Sequence, residues 1–208
     1  MATNQVDLAQ LFGTVAQALS ENKSALNAAD TYNNDHGDNM VQIFNLIAQA
    51  VQENKGAKPS AQLKAAATKI GKTKSGSAQL YAKGLAQAAK EFKDKALTPQ
   101  NIALLAQVLL AGGKKTTAQS NDPLNSILTG LLGNQQQSSG GDGMDAGDLL
   151  NAGMTFLAAK QSGDDNMNAL VRTLVSNSAM SSAPHREESG QVVVNTLLNA
   201  MLSMANKG

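Results

Sequence analysis

The stretch "LNAADTYNNDHGDNMVQIFNLIAQAV", Leu26 to Val51, joins a polar loop to the most regular apolar pattern in the chain. Met40, Ile43, Phe44, Ile47, Ala48 and Val51 recur at i, i+3, i+4, i+7 and i+8, the spacing that gathers apolar side chains on one face of an α-helix. Ahead of them, Leu26 to Met40 crowds together three Asp, four Asn, one Gly and one of the two histidines. Asn, Asp and Gly tolerate left-handed backbone, so the loop reads first as a turn, with Asp38 as N-cap and dipole partner of the helix.

Working outward, the same period recurs along the chain. Leu8, Phe12, Val15 and Leu19 predict a helix ending near Glu21 to Lys23, with Ser24 capping a short following turn. After "NKGAKP", Pro59 and an Ala-rich run predict a helix from about Ser60 to Ile70, and "GKTKSGS" separates it from one over about Ser77 to Lys93. "LTPQNIALLAQVLLAGG" offers Thr98 as N-cap, Pro99 at the first helical position and Gly112 beyond the end. "NDPLNSILTGLLG" repeats that opening at Asn121 to Pro123, and a Gln/Ser/Gly-rich loop follows. Further helices are expected over Asp145 to Lys160, Met167 to Asn177 and Gln191 to Asn206. The expectation is a single all-α domain over residues 1–208, with about eight antiparallel helices in an up-and-down bundle or closed ring.

Composition agrees. Aromatic residues make up 3% of the chain, and Ala, Leu, Gln, Asn, Lys and Met favour helix over strand. Seventeen basic residues against sixteen acidic leave a net charge of +1, which argues against nucleic acid as a partner. With neither a leader pattern nor an apolar run of membrane-spanning length, the expectation is a cytoplasmic protein without membrane insertion. Cysteine is absent, which excludes disulfides and thiolate chemistry.

The loop before Met40 also invites a metal. Its carboxylates do not alternate as an EF-hand requires, and no Glu closes the loop. A magnesium–phosphate site asks for less: one or two carboxylates, with phosphate and water completing the octahedron near a helix N-terminus.

The residues "LNA..D..NNDHGDNM" resemble the metal-binding signature of the nucleotide-binding L-subunit of dihydroxyacetone kinases and the related N-terminal domain of fatty acid kinases. Three weaker echoes follow in the same order: "KSGSAQLYAKGLAQAA" from Lys74, "GDGMDAGDLL" from Gly141, and "PHREESGQVVVNTLL" from Pro184. The resemblance covers nearly the whole chain. It implies a ring of eight antiparallel helices holding ADP or ATP with Mg²⁺ in loops at one end. It also implies a separate subunit that binds dihydroxyacetone or a fatty acid as acceptor, with a phosphocarrier protein as an alternative phosphoryl source. A lipid in the Met-rich helical interior is a side expectation.

Carried over residue by residue, the resemblance implies Asp30, Asn33 and Asp35 as metal ligands, with Asn27 an alternative to Asp30 as the first of them. Asn33 stands where the family has Asp, which removes a negative charge from the site. Lys74, Ser75, Gly76, Gly141, Met144, Glu188 and Gly190 fall in the nucleotide-holding segments, and Lys72 adds charge beside them. His36 and His185 match family positions, and neither is assigned a catalytic role, because phosphoryl transfer depends chiefly on positioning and charge. The competing expectation is a relative that has lost phosphoryl transfer and serves as a ligand-binding or regulatory module.

Overall fold

The computed structural model describes residues 6–98, 101–113 and 166–205. Among these the chain is all-α: eight α-helices and one 3₁₀ turn, with no strand. The helices are α1 (Leu8–Glu21), α2 (Lys23–Ala28), α3 (His36–Glu53), α4 (Pro59–Ile70), α5 (Gly76–Glu91), α6 (Ile102–Leu110), α7 (Asn166–Ser176) and α8 (Pro184–Ala205). The expected helices at Asn121–Pro123 and over Asp145 to Lys160 lie outside the described residues.

Each start has a local cause. Asp7 caps α1 by accepting from the Ala9 and Gln10 amides at 2.9 and 3.1 Å. Pro59 opens α4, where its fixed φ suits the first turn and its missing N–H leaves no helical bond unmade. Ser75 caps α5 and accepts from the Ala78 amide at 3.5 Å. Helix α6 begins at Ile102, later than Thr98 and Pro99 suggest. Its N-cap is Asn101, whose side-chain oxygen accepts from the Thr98 amide at 2.9 Å, so the cap closes backward on the preceding turn. Gly112 and Gly113 follow α6 with φ of 59° and 88°, conformations that end a helix and cost glycine least.

Two boundaries differ from the sequence reading. The turn after Glu21 is itself a six-residue helix, α2. "PHREESG", expected as a loop before a helix at Gln191, is the opening of α8. Pro184 in the first turn and Glu187 near the positive helix end are start signals there, as in α4, and Gly190 is carried inside the helix by its packing.

The helices close a circuit: α1 packs on α3, α3 on α4, α4 on α5, α5 on α6, α6 on α8, and α8 back on α1, with α7 against α8 and α6. Asp7 pairs with Lys55 at one end of α1 and α3, and Lys23 with Asp38 at the other, which fixes these two helices antiparallel. Inside, α1, α3 and α5 meet through aromatic rings. Phe44 lies 6.4 Å from Phe12 and 5.0 Å, edge on, from Tyr81, all three buried. Met40, Met180 and Met201 are buried in the same core, the packing role their helical spacing suggests. Gly84 of α5 lets α6 approach until a Cβ there would collide with the Leu109 carbonyl. No helix among the described residues is long and apolar enough to cross a membrane.

Candidate functional site

Three segments far apart in sequence meet at one end of the circuit: residues 27–38, residues 75–77 and residues 185–190. Each belongs to the start of a helix. The end therefore collects the N-termini of α3, α5 and α8, whose first amides have no partner within their own helices.

The loop before α3 is built by its own side chains. Asp30 Oδ1 accepts from the Tyr32 amide at 3.1 Å, and the Asp30 carbonyl accepts from the Asn34 amide at 3.2 Å. Asn34 takes φ of 57°, the one left-handed residue other than glycine among those described. Asp35 is the N-cap position of α3, but its carboxylate turns to accept from Asn39 Nδ2 at 2.6 Å. The first-turn amides are capped from a distance. Asn27 Oδ1 accepts from Gly37 at 2.6 Å and from Asp38 at 3.2 Å, while Asn27 Nδ2 donates to Asp38 at 2.8 Å. Asp38 is thus a first-turn residue rather than the cap, and Asn27 has its oxygen committed.

His36, buried at the start of α3, shares a 2.9 Å hydrogen bond through Nε2 with the Ser189 hydroxyl on α8. Its ring centroid lies 4.6 Å from that of His185, and His185 Nδ1 lies 3.8 Å from Asp30 Oδ1. The chain's only two histidines therefore pack against each other, their ring planes tilted by 58°, beside a buried carboxylate. Burial, then the neighbouring His185, lowers the His36 pKa to about 4 despite the raising influence of Asp30, so this ring is neutral at pH 7. Burial pushes the Asp30 carboxyl up, but the Tyr32 amide, His185, the Asp35 amide and His36 together bring it below the usual value. Hydrogen bonds from Asn27 and Lys23 lower Asp38 against a smaller effect of burial.

The expected site residues divide. Asp30 and Asp35 are at this end on one loop; Asn33 is on the same loop and exposed. Ser75 and Gly76 open α5 beside α8, where a Cβ on Gly76 would lie 2.9 Å from Arg186 Nη2. Lys72 and Lys74 are exposed nearby, as is Glu188. Gly190 is buried against Val175 and Met180, a close helix contact inside α8. Gly141 and Met144 lie outside the described residues. The sequence did not show Asn27 as a cap, and it gave neither Ser189 nor Arg186 a role. Two polar segments with a histidine each were the available hint that the pair meets.

As a metal site the donor set is lean. Among the described residues no three His, Cys, Asp or Glu side chains converge as a cage would require. Asp30 and Asp35 each have one oxygen engaged. This fits a magnesium ion that arrives with its phosphate, which needs one or two protein carboxylates, and does not fit a protein cage for two ions.

No family model, no curated protein and no solved structure matches this chain.

Proposed function

We propose that this end of the helical circuit binds the phosphates of ADP or ATP, and that the protein is the nucleotide-holding half of a phosphotransferase resembling the dihydroxyacetone and fatty acid kinases. The observation that carries the reading is the meeting of residues 27–38, 75–77 and 185–190 at one end of the circuit. These are three of the four segments that resemble the kinase family, and nothing in their sequence spacing brings them together. In this reading Asp35 and Asp30, with the amide oxygen of Asn33, hold Mg²⁺, which when bound neutralises phosphate oxygens. Ser75 and Gly76 present backbone donors to the same phosphates. A separate acceptor-binding subunit brings dihydroxyacetone or a fatty acid, and the phosphoryl source is ATP or a phosphocarrier protein recharging bound ADP.

Asn33 in place of a carboxylate, and the engagement of Asp30 with its own loop, favour a second reading: a ligand-binding or regulatory module that has lost phosphoryl transfer.

Calorimetric titration with ADP and ATP, in Mg²⁺ and in EDTA, tests the proposal. Mg²⁺ is expected to tighten binding by about tenfold or more through Asp35, to lose that gain in Asp35→Ala, and to gain further in Asn33→Asp. Binding that appears only in Asn33→Asp supports the regulatory reading. Absence of binding by wild type and Asn33→Asp alike rejects the nucleotide function.

A further inference from the structure

The outer face of a surface helix normally carries charge, and that of α3 does not. Between Asp38 and Glu53 the helix has no charged residue, and α1 beside it has none from Leu8 to Ser20. Residues 54–90, which supply α4 and α5, carry eight lysines and no acid. Gln42, Asn45 and Gln49 are exposed along α3, and their amides make no hydrogen bond to any described residue. With the half-buried Val41 and Leu46 they line a shallow, open groove of about 530 Å³ that reaches Ser20 and Lys23. Charge returns at the two ends of α3 with opposite sign. Asp35, Asp38 and the α1-terminal Glu21 stand at its N-terminal end, with Lys23 paired to Asp38. At its C-terminal end, Lys64, Lys69 and Lys72 line a second groove with Ala50, Glu53 and Asn54, three cations to one carboxylate.

We propose that this face binds a second copy of the chain, two α3 helices lying antiparallel across a two-fold axis beside Asn45. The inference does not rest on the nucleotide reading. A two-fold contact sets a surface against itself, so the surface must complement its own image. Amides satisfy that condition, because each carries both donors and an acceptor, whereas a charged side chain near the axis would meet its own sign. Asn45 stands at the middle of α3. An axis there brings Gln42 near the partner's Gln49 and sets the acidic end of each α3 against the lysine-rich end of the other. The half-buried Val41 and Leu46 supply apolar contact between the amides. Helix α3 is about 27 Å long at about 1.5 Å per residue, and with the edges of α1 and α4 the face offers about 500 Å². A pair would bury about 1,000 Å², the lower limit of a specific interface, so the association is micromolar and salt-sensitive.

Sedimentation of the full chain over about 1 to 100 μM tests this. Wild type is expected to pass from 21.5 kDa toward twice that mass, and about 1 M salt to weaken the association. Asn45→Lys and Asn45→Asp are each expected to weaken it about tenfold or more, because the axis brings like charges together. Both should keep wild-type helicity by circular dichroism, since position 45 is exposed. An equimolar mixture of the two variants should form the dimer again. Ala86→Lys, on the exposed side of α5, is the control and should associate as wild type does. Wild type that remains at 21.5 kDa throughout overturns the inference and leaves the face to a different partner. A dimer indifferent to Asn45→Lys also overturns it, as does a mixture that fails to associate, since the contact then lies elsewhere or is not two-fold at Asn45. None of these outcomes bears on nucleotide binding.

Discussion

Asn27 caps helix α3 from ten residues before Gly37: its side-chain oxygen takes the Gly37 amide at 2.6 Å and the Asp38 amide at 3.2 Å. The same side chain donates to Asp38, and Asp38 pairs with Lys23 at 3.0 Å, so α2 and the start of α3 are one hydrogen-bonded unit. Gly37 belongs to this unit, since a Cβ there would collide with the Lys23 carbonyl. Asn27→Ala removes the acceptor for two helix-end amides and is expected to cost about 1–2 kcal/mol. Urea unfolding should show a lower midpoint with an unchanged slope. A midpoint equal to wild type would mean that water replaces the cap at no cost.

At the opposite extreme are the lysine–carboxylate pairs on the surface. Lys69 meets Glu53 at 2.9 Å, but the Glu53 side chain is half exposed. Lys69→Ala should change stability by less than about 1 kcal/mol, and 1 M salt should remove most of the difference between the two proteins.

Tyr81 carries a hydroxyl into the core that has no hydrogen-bond partner among the described residues, beside the Phe44 ring. Burial alone raises its pKa, so the group stays protonated across the accessible range. Tyr81→Phe keeps the ring contact and removes an unsatisfied polar atom. It is expected to raise stability by about 1 kcal/mol, read as an increase in melting temperature. A fall of similar size would reveal a hydroxyl partner, such as a buried water.

Gly84 sets the distance between α5 and α6. Its missing Cβ makes room for the Leu109 backbone, which cannot rotate aside as a side chain would. Gly84→Ala should therefore destabilise by about 1–3 kcal/mol even though alanine is the better helix former. Gly13, with nothing near its Cβ position, is the control: Gly13→Ala should be neutral or stabilising.

The histidine pair predicts an acid sensitivity of definite sign. His36 has a folded-state pKa of about 4, below its ordinary 6.5, so the unfolded chain binds the extra proton first as pH falls. Stability is fully present above about 6.5 and is lost as the pH drops toward 4, by an amount on the order of 2 kcal/mol once partial solvent screening is allowed for. The groups facing the ring are His185, Arg186, Asp30 and Ser189. Unfolding measured at pH 7.5, 6 and 5 should show this slope in wild type and a shallower one in His36→Gln. An NMR titration of His36 with its midpoint near 6.5 would remove the basis of the prediction.

How much of this was legible depended on how far apart the interacting residues lie in the chain. Met40, Ile43, Phe44 and Ile47 declare α3 because a helix repeats every 3.6 residues and its core face must be apolar. Pro59 and Ser75 declare starts because their effects act on the next turn. Pro184 has the same local meaning, but the Glu and Gly residues after it read as a loop until Gly190 is seen packed on Val175 and Met180. For the site, the sequence named the segments of Asp30, Asp35, Ser75 and His185. It offered Asn27 only as an alternative to Asp30 for a metal, and gave Arg186 no role.

The amino-acid order, then, was enough to settle helix class and most helix positions, since propensity, period and caps are properties of neighbouring residues. The tertiary structure alone decided that His36 meets Ser189 across 153 residues, that Asn27 serves a helix end, and that Arg186 lies over Gly76. Those contacts arise where helices pack, and the cost or gain of each depends on which side chains the packing buries together. No local pattern encodes that choice.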